Sequence, residues 1–216
     1  MGRERIESME KLFVQYGCGW SAPEKWINFD ASPTLRYERI PLFGHLIKKN
    51  KSRFPNNVKY GDIIIGLPIS ENSCDGIYCS HVLEHLSLED CRKALKNTYK
   101  ILKSGGVFRL VMPDLEFYIQ QYMKDISPEA ATRFMKGTIL GRVHRNNGLK
   151  AFFFEWLGSS QHLWLWDYKA IELELSNVGF KNIRLANMGD SQDLMFMDVE
   201  TSDRWINCLG VQAIKD

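Results

Sequence analysis

DGIYCSHVLEHL, residues 75–86, runs an apolar strand pattern straight into a polar cluster. The segment up to Ser80 reads as a buried strand, so His81 falls at its carboxyl end and His85 near the first turn of the next element. Taken alone, HVLEH (81–85) is also H-x-x-E-H, a spacing in which two histidines one helical turn apart hold zinc while the glutamate activates water. That chemistry needs both histidines on one face of a regular helix, a third protein ligand and an open position. A strand running into His81 points the two rings in different directions, and His45, His144 and His162 show no H-x-x-x-H partner. The zinc hydrolase reading is therefore set aside, no residue is assigned to a metal, and Leu83 and Leu86 are read as core.

Outward from this stretch, strand-like runs recur at 11–17, 26–32, 57–62, 106–114, 181–188 and 205–215. Helical periodicity follows Ser87, with Cys91, Leu95, Thr98 or Tyr99 and Leu102 as its buried stripe and Gly105–Gly106 as its stop. A second helix is expected in DYKAIELELSNVGF, ending at Gly179. Strands alternating with helices imply a mostly parallel sheet covered on both faces, an α/β class whose sites lie at the carboxyl ends of the strands. Residues 115–167 break this rhythm and are expected to be a lid or substrate-side insertion within a single domain spanning 1–216. This tract holds the aromatic AFFFEWLGSSQHLWLWDY, whose rings suit a subdomain core, a homodimer contact or a substrate-facing wall.

The 28 basic and 26 acidic residues leave a net charge of +2, which does not suit a dedicated nucleic-acid binder. Five cysteines without a C-x-x-C pair suit a reducing cytoplasm. No apolar run reaches membrane-spanning length, and the charged MGRERIESMEK lacks the apolar core of a signal peptide.

The first strand ends in YGCGW and the second in NFDAS. Gly17 and Gly19 allow a sharp turn and close approach of backbone to a ligand, and Asp30 at the next strand tip can accept from two ribose hydroxyls. GCGWSA also satisfies the dinucleotide fingerprint G-x-G-x-x-A, but that motif opens a helix and carries its acidic residue about 20 positions on. Asp30 comes only 11 residues after Gly19, too soon for such a unit.

YGDIIIGLPISENSCDGIYCSHVLEHL (60–86), followed by YKILKSGGVFRLVMPDLE (99–116), resembles the class I S-adenosylmethionine-dependent methyltransferases of the type-11-like group. Asp62, Leu67–Pro68, Asp75, Ser80, Leu83 to His85 and Leu102 to Pro113 follow that group's order, and HLWLWDYKAIELELSNVGFKNIRL resembles its C-terminal element. The resemblance spans about 11–215. It implies a Rossmann-like, doubly wound seven-stranded sheet with an antiparallel C-terminal strand, and S-adenosylmethionine as cofactor. By matching position it implies that Gly17, Cys18 and Gly19 pass the cofactor by backbone, Asp30 holds the ribose, Asp62 and Ile63 meet the adenine, and Ser80 and His81 lie beside the methionine and sulfonium. Gln15 and Ser21 stand where the group carries an acidic residue and a third glycine, so Gln15 offers no counter-charge to the cofactor's ammonium group. GCGWSAPEKWINFD (17–30) is similar to predicted methyltransferases of polysaccharide-biosynthesis clusters, which implies a small-molecule or saccharide acceptor.

Methyl transfer from a sulfonium is an in-line displacement that mainly requires alignment and exclusion of water. A hydroxyl acceptor adds the need for a base, and His81 and Asp114 are the candidate catalytic groups, Asp114 being equally suited to capping a helix. The function expected is methyl transfer to an oxygen or nitrogen. The alternative, prompted by Gln15 and the short first crossover, is a methyltransferase-like binding protein without catalysis.

Overall fold

The computed structural model describes residues 11–40, 52–143 and 161–216. Its strands are β1 (Phe13–Tyr16), β2 (Ile27–Asp30), β3 (Val58–Tyr60), β4 (Cys74–Ser80), β5 (Leu102–Pro113), β6 (Phe180–Leu185) and β7 (Cys208–Lys215). They form one sheet in the order β3-β2-β1-β4-β5-β7-β6. Neighbours from β3 through β5 are parallel, and β7 runs antiparallel to both β5 and β6. The chain moves outward from β1 to β3 and then returns to β4, so the strand order reverses between β1 and β4 and a crevice opens at their carboxyl ends.

Period-two alternation sorts the strand side chains between two layers. Val14, Tyr16, Ile77, Cys79, Phe108, Leu110 and Met112 enter the larger core with helices α2 (Leu88–Ile101) and α5 (Tyr168–Val178). Phe13, Tyr78 and Val111 enter a second cluster with Trp26, Phe196 and Val199. Ser87 caps α2 by accepting the Asp90 amide at 3.2 Å, and Gly179 ends α5 with φ at 116°. The expected glycine stop of α2 falls elsewhere: the helix ends at Ile101, because Leu102 already pairs with Cys74 and a register shift between Cys74 and Gly76 absorbs the extra residues of β5.

No helix separates β1 from β2. Polar side chains hold this short connection instead, with Gln15 donating Nε2 to the Ser21 carbonyl (2.7 Å) and to Asn28 Oδ1 (2.6 Å). Asn28 in turn donates to the carbonyls of Pro23 and Trp26, both at 3.0 Å. The connection between β6 and β7 supplies cover for the second cluster through Phe196 and Val199, and Trp26 Nε1 donates to the Met195 carbonyl at 3.2 Å. Arg109 on β5 fastens this connection. Its side chain is fully buried and donates to Glu200, Asp190, Gln212 and the Asn187 carbonyl at 2.8 to 2.9 Å, under the rings of Phe196 and Trp205.

After β5 the chain forms α3 (Leu115–Lys124) and α4 (Ala130–Gly137), packed together through Tyr122 and Phe134, with ring centroids 5.7 Å apart. Residues 144–160, with His144 and the run AFFFEW, lie outside the described residues, as do His45 and part of KKNKSRF. Among the described residues no helix is long and apolar enough to cross a membrane.

Candidate active site

The turn after β1 is built on two left-handed glycines, Gly17 (φ 65°) and Gly19 (φ 55°). Between them the Cys18 amide donates to the Phe29 carbonyl at 3.1 Å, which ties the turn to β2. The Cys18 side chain faces away from the crevice into a cluster with Leu35, Phe54 and Val58, and burial pushes its thiol up to about 12. The side chain of this residue is thereby withdrawn into the core.

Asp30 closes the turn from the next strand. Its Oδ2 accepts the Gly19 amide at 3.0 Å and its Oδ1 accepts the Ser32 amide at 2.7 Å. An ionised carboxylate has about four acceptor positions, so one remains on each oxygen for a pair of hydroxyls. Burial raises the Asp30 pKa above its ordinary 3.8 against the opposing pull of those two amides. A Cβ added at Gly19 would meet nothing within 4 Å among the described residues, which leave room beside the turn for a ligand. A Cβ added at Gly17 would lie 2.1 Å from Val82 Cγ2, so the turns after β1 and β4 meet at that glycine.

Asp62 and Ile63 join the same crevice from the loop after β3. The Gly61 amide donates to the Asp30 carbonyl at 3.2 Å, and Asp62 Oδ1 accepts the Ile64 amide at 2.9 Å. Asn97 of α2 braces this loop by donating to the carbonyls of Ile63 (2.8 Å) and Ile64 (3.0 Å). Ile63 is buried and Asp62 is half-buried.

At the end of β4, Ser80 and His81 are held by a residue that no motif in the sequence singled out. Arg204 donates Nε to Ser80 Oγ and Nη2 to the Ser80 carbonyl, both at 2.8 Å. Its own carbonyl lies 3.0 Å from His81 Nε2, while His81 Nδ1 lies 3.1 Å from Glu84 Oε1. A carbonyl accepts only, and so does an ionised carboxylate; the ring therefore donates from both nitrogens as imidazolium. Burial alone would push the His81 pKa down, but the Cys208 thiol, Glu84 and the Arg204 carbonyl raise it to about 10. In this arrangement His81 has no lone pair with which to take a proton. Its φ of 54°, uncommon for a residue with a side chain, is held by these contacts and by its amide bond to the Val111 carbonyl at 2.8 Å.

Asp114 stands at the end of β5, half-buried, where its Oδ1 accepts the Glu116 amide at 2.9 Å and caps α3. The Leu115 amide donates to the Trp166 carbonyl at 3.0 Å, which draws the end of the insertion back to the sheet. Burial depresses His162 below its ordinary value, Glu84 opposing.

Residues 14–110 match the family described as a methyltransferase domain. The sheet has the fold of the class I methyltransferases. S-adenosylmethionine is the methyl donor of this class. A SAM-dependent methyltransferase from Thermotoga maritima shares this fold with a TM-score of 0.51 at 16% identity, over 95% of this chain and 82% of that one. A second SAM-dependent methyltransferase, from Archaeoglobus fulgidus, has a TM-score of 0.51 at 14% identity over 95% of this chain and 86% of that one. No curated protein matches the sequence. The methyltransferase domain match ends within β5, so the insertion and the β6–β7 connection, which carries Arg204, lie outside it.

Proposed function

We propose that this methyltransferase moves a methyl group from S-adenosylmethionine to an oxygen or nitrogen of a small or saccharide-type acceptor. The observation that carries the reading is the Asp30 carboxylate, which holds the Gly19 amide of the turn on one oxygen and the Ser32 amide on the other, and keeps one acceptor position on each for the ribose hydroxyls. Asp62 and Ile63 are assigned to the adenine, Ser80 and His81 to the methionine side. The bound donor supplies an electrophilic methyl on a sulfonium whose positive charge disappears as the methyl leaves.

Gln15 is spent inside the protein on Ser21 and Asn28, so it holds the short crossover rather than meeting the cofactor's ammonium group. His81, donating from both nitrogens, positions the β4 turn, and Asp114 positions α3. His81 is thus not poised as a base, whereas Asp114 spends only Oδ1 on the cap and is the candidate base for a hydroxyl acceptor. The segment 115–167 is assigned to the acceptor side as a lid, because it leaves the sheet at Asp114 and returns at Trp166, next to the crevice. All five cysteines are free, which supports a cytoplasmic setting.

The test is transfer of labelled methyl from S-adenosylmethionine to a panel of amino and hydroxyl acceptors, saccharides included. Labelled product with an amine or a saccharide supports the reading. Binding of the donor with no transfer to any member would favour the non-catalytic alternative.

A further inference from the structure

The amides of Leu163 and Trp164 donate to the Glu84 carbonyl at 2.7 and 3.1 Å, fastening the end of the insertion onto the turn after β4. This return brings His162 against His85, with ring centroids 4.8 Å apart. One side-chain donor atom from each of Glu84, His85 and His162 lies within 4.8 Å of the other two. Glu84 is fully buried and His162 is 7% exposed, yet among the described residues Glu84 Oε2 and His162 Nδ1 have no hydrogen-bond partner. A buried polar atom left unsatisfied destabilises the fold, so two in one cluster require a reason.

The remaining atoms of the cluster are already oriented. His85 Nδ1 lies 3.1 Å from the Gln161 carbonyl, which only accepts, so Nδ1 carries a proton and the neutral ring offers its lone pair at Nε2. Glu84 Oε1 is held by His81, which leaves Oε2 as the outward oxygen. A ligand histidine whose second nitrogen is fixed by a carbonyl, beside a carboxylate that is itself hydrogen-bonded, is the arrangement that outer-sphere partners impose around bound metals.

We propose that Glu84, His85 and His162 bind a divalent transition-metal ion of the zinc class. Two imidazoles and one carboxylate match zinc's preference for nitrogen and oxygen donors, and three protein ligands leave a fourth position for water or an acceptor oxygen. Tetrahedral bonds of about 2.0–2.1 Å place donor atoms roughly 3.4 Å apart, so the side chains close by about 1 Å on binding. The site differs from the one that HVLEH suggests as a string. His81 stands outside it and steadies Glu84, and His162, distant in sequence, takes the place of the second histidine.

The test uses the whole chain, stripped with chelator and dialysed, then titrated with Zn²⁺ by calorimetry and with Co²⁺ by visible absorption, with folding followed by circular dichroism. One ion per chain is expected, with a tetrahedral cobalt spectrum. His162→Ala and Glu84→Gln should each weaken binding by more than about a hundredfold, beyond the loss typical of outer-sphere changes. His85→Ala serves as the second ligand variant if Glu84→Gln does not fold, and Lys93→Ala, on the exposed face of α2 and outside the cluster, should bind as the parent does. Absence of stoichiometric binding by the folded parent, or binding that survives His162→Ala, would overturn the proposal. Since no readout involves methyl transfer, either result leaves the methyltransferase reading where it stands.

Discussion

Replacing Gly17 by alanine should damage the protein far more than the same change at Gly19, although both have left-handed backbones of nearly equal φ. The backbone contribution is common to both: an L-residue held in this region costs about 1–2 kcal/mol, offset by about 0.4–1 kcal/mol because alanine restricts the unfolded chain. At Gly19 that is the whole effect, since among the described residues nothing lies within 4 Å of the new methyl, and a net loss of about 1 kcal/mol results. At Gly17 the methyl would stand 2.1 Å from Val82 Cγ2. Forcing those groups apart adds the roughly 1–3 kcal/mol typical of overpacking, for a total of about 2–4 kcal/mol. For a chain of this length each kcal/mol lowers the melting temperature by about 2–4 °C. Thermal unfolding should therefore show a fall of about 2–4 °C for Gly19→Ala and about 4–16 °C for Gly17→Ala. Val82→Ala combined with Gly17→Ala should recover the overpacking share but not the backbone share. Equal shifts for the two glycines, or no recovery on shortening Val82, would refute the close contact between the turns after β1 and β4.

Two further outcomes concern charges held inside the fold. Arg109→Met leaves the Glu200 carboxylate buried without its cation, and loss of one partner of such a pair costs about 3–5 kcal/mol in chemical denaturation; a loss below about 1 kcal/mol would contradict the role given to Arg109. Asp75 is held by the Leu12 amide at 2.7 Å and by Lys103 at 2.8 Å; burial opposes ionisation, but these partners lower its pKa below 3.8 overall. A carboxylate with a depressed folded pKa contributes stability above its unfolded pKa and loses it as pH falls through the folded value. Asp75→Asn should thus be less stable than the parent at pH 7, with the gap closing as the pH is taken below 3.8; a gap independent of pH would contradict the assignment.

The core of the fold was legible because its strands are apolar and bounded. FVQY, INFD and the buried half of β5 announce themselves, and Ser87 and Gly179 mark helix ends by local chemistry that tertiary context did not override. The glycine turn and Asp30 were legible for the same reason, since a turn and the next strand tip are close in sequence. Local signals failed where distant partners decide the outcome. Gly105–Gly106 look like a helix stop, yet Leu102 is drawn into the sheet by Cys74. Arg204 and Arg109 look like ordinary surface cations until the β6–β7 connection folds over the sheet and buries their partners. Glu84 and His85 carry a metal-like spacing as a string, but His162, the side chain that stands beside them, is brought in only where the chain returns from α4 to α5.

Asp30 as the ribose-binding carboxylate of a methyl-donor site is the central claim, and calorimetric titration with S-adenosylhomocysteine tests it most directly. The folded parent should bind one equivalent, and Asp30→Ala should lose about 2–3 kcal/mol, roughly thirty- to a hundredfold or more in affinity, since two charged hydrogen bonds and the brace on Gly19 disappear together. No binding by folded parent protein at millimolar ligand, or equal affinity in the Asp30→Ala variant, would contradict it.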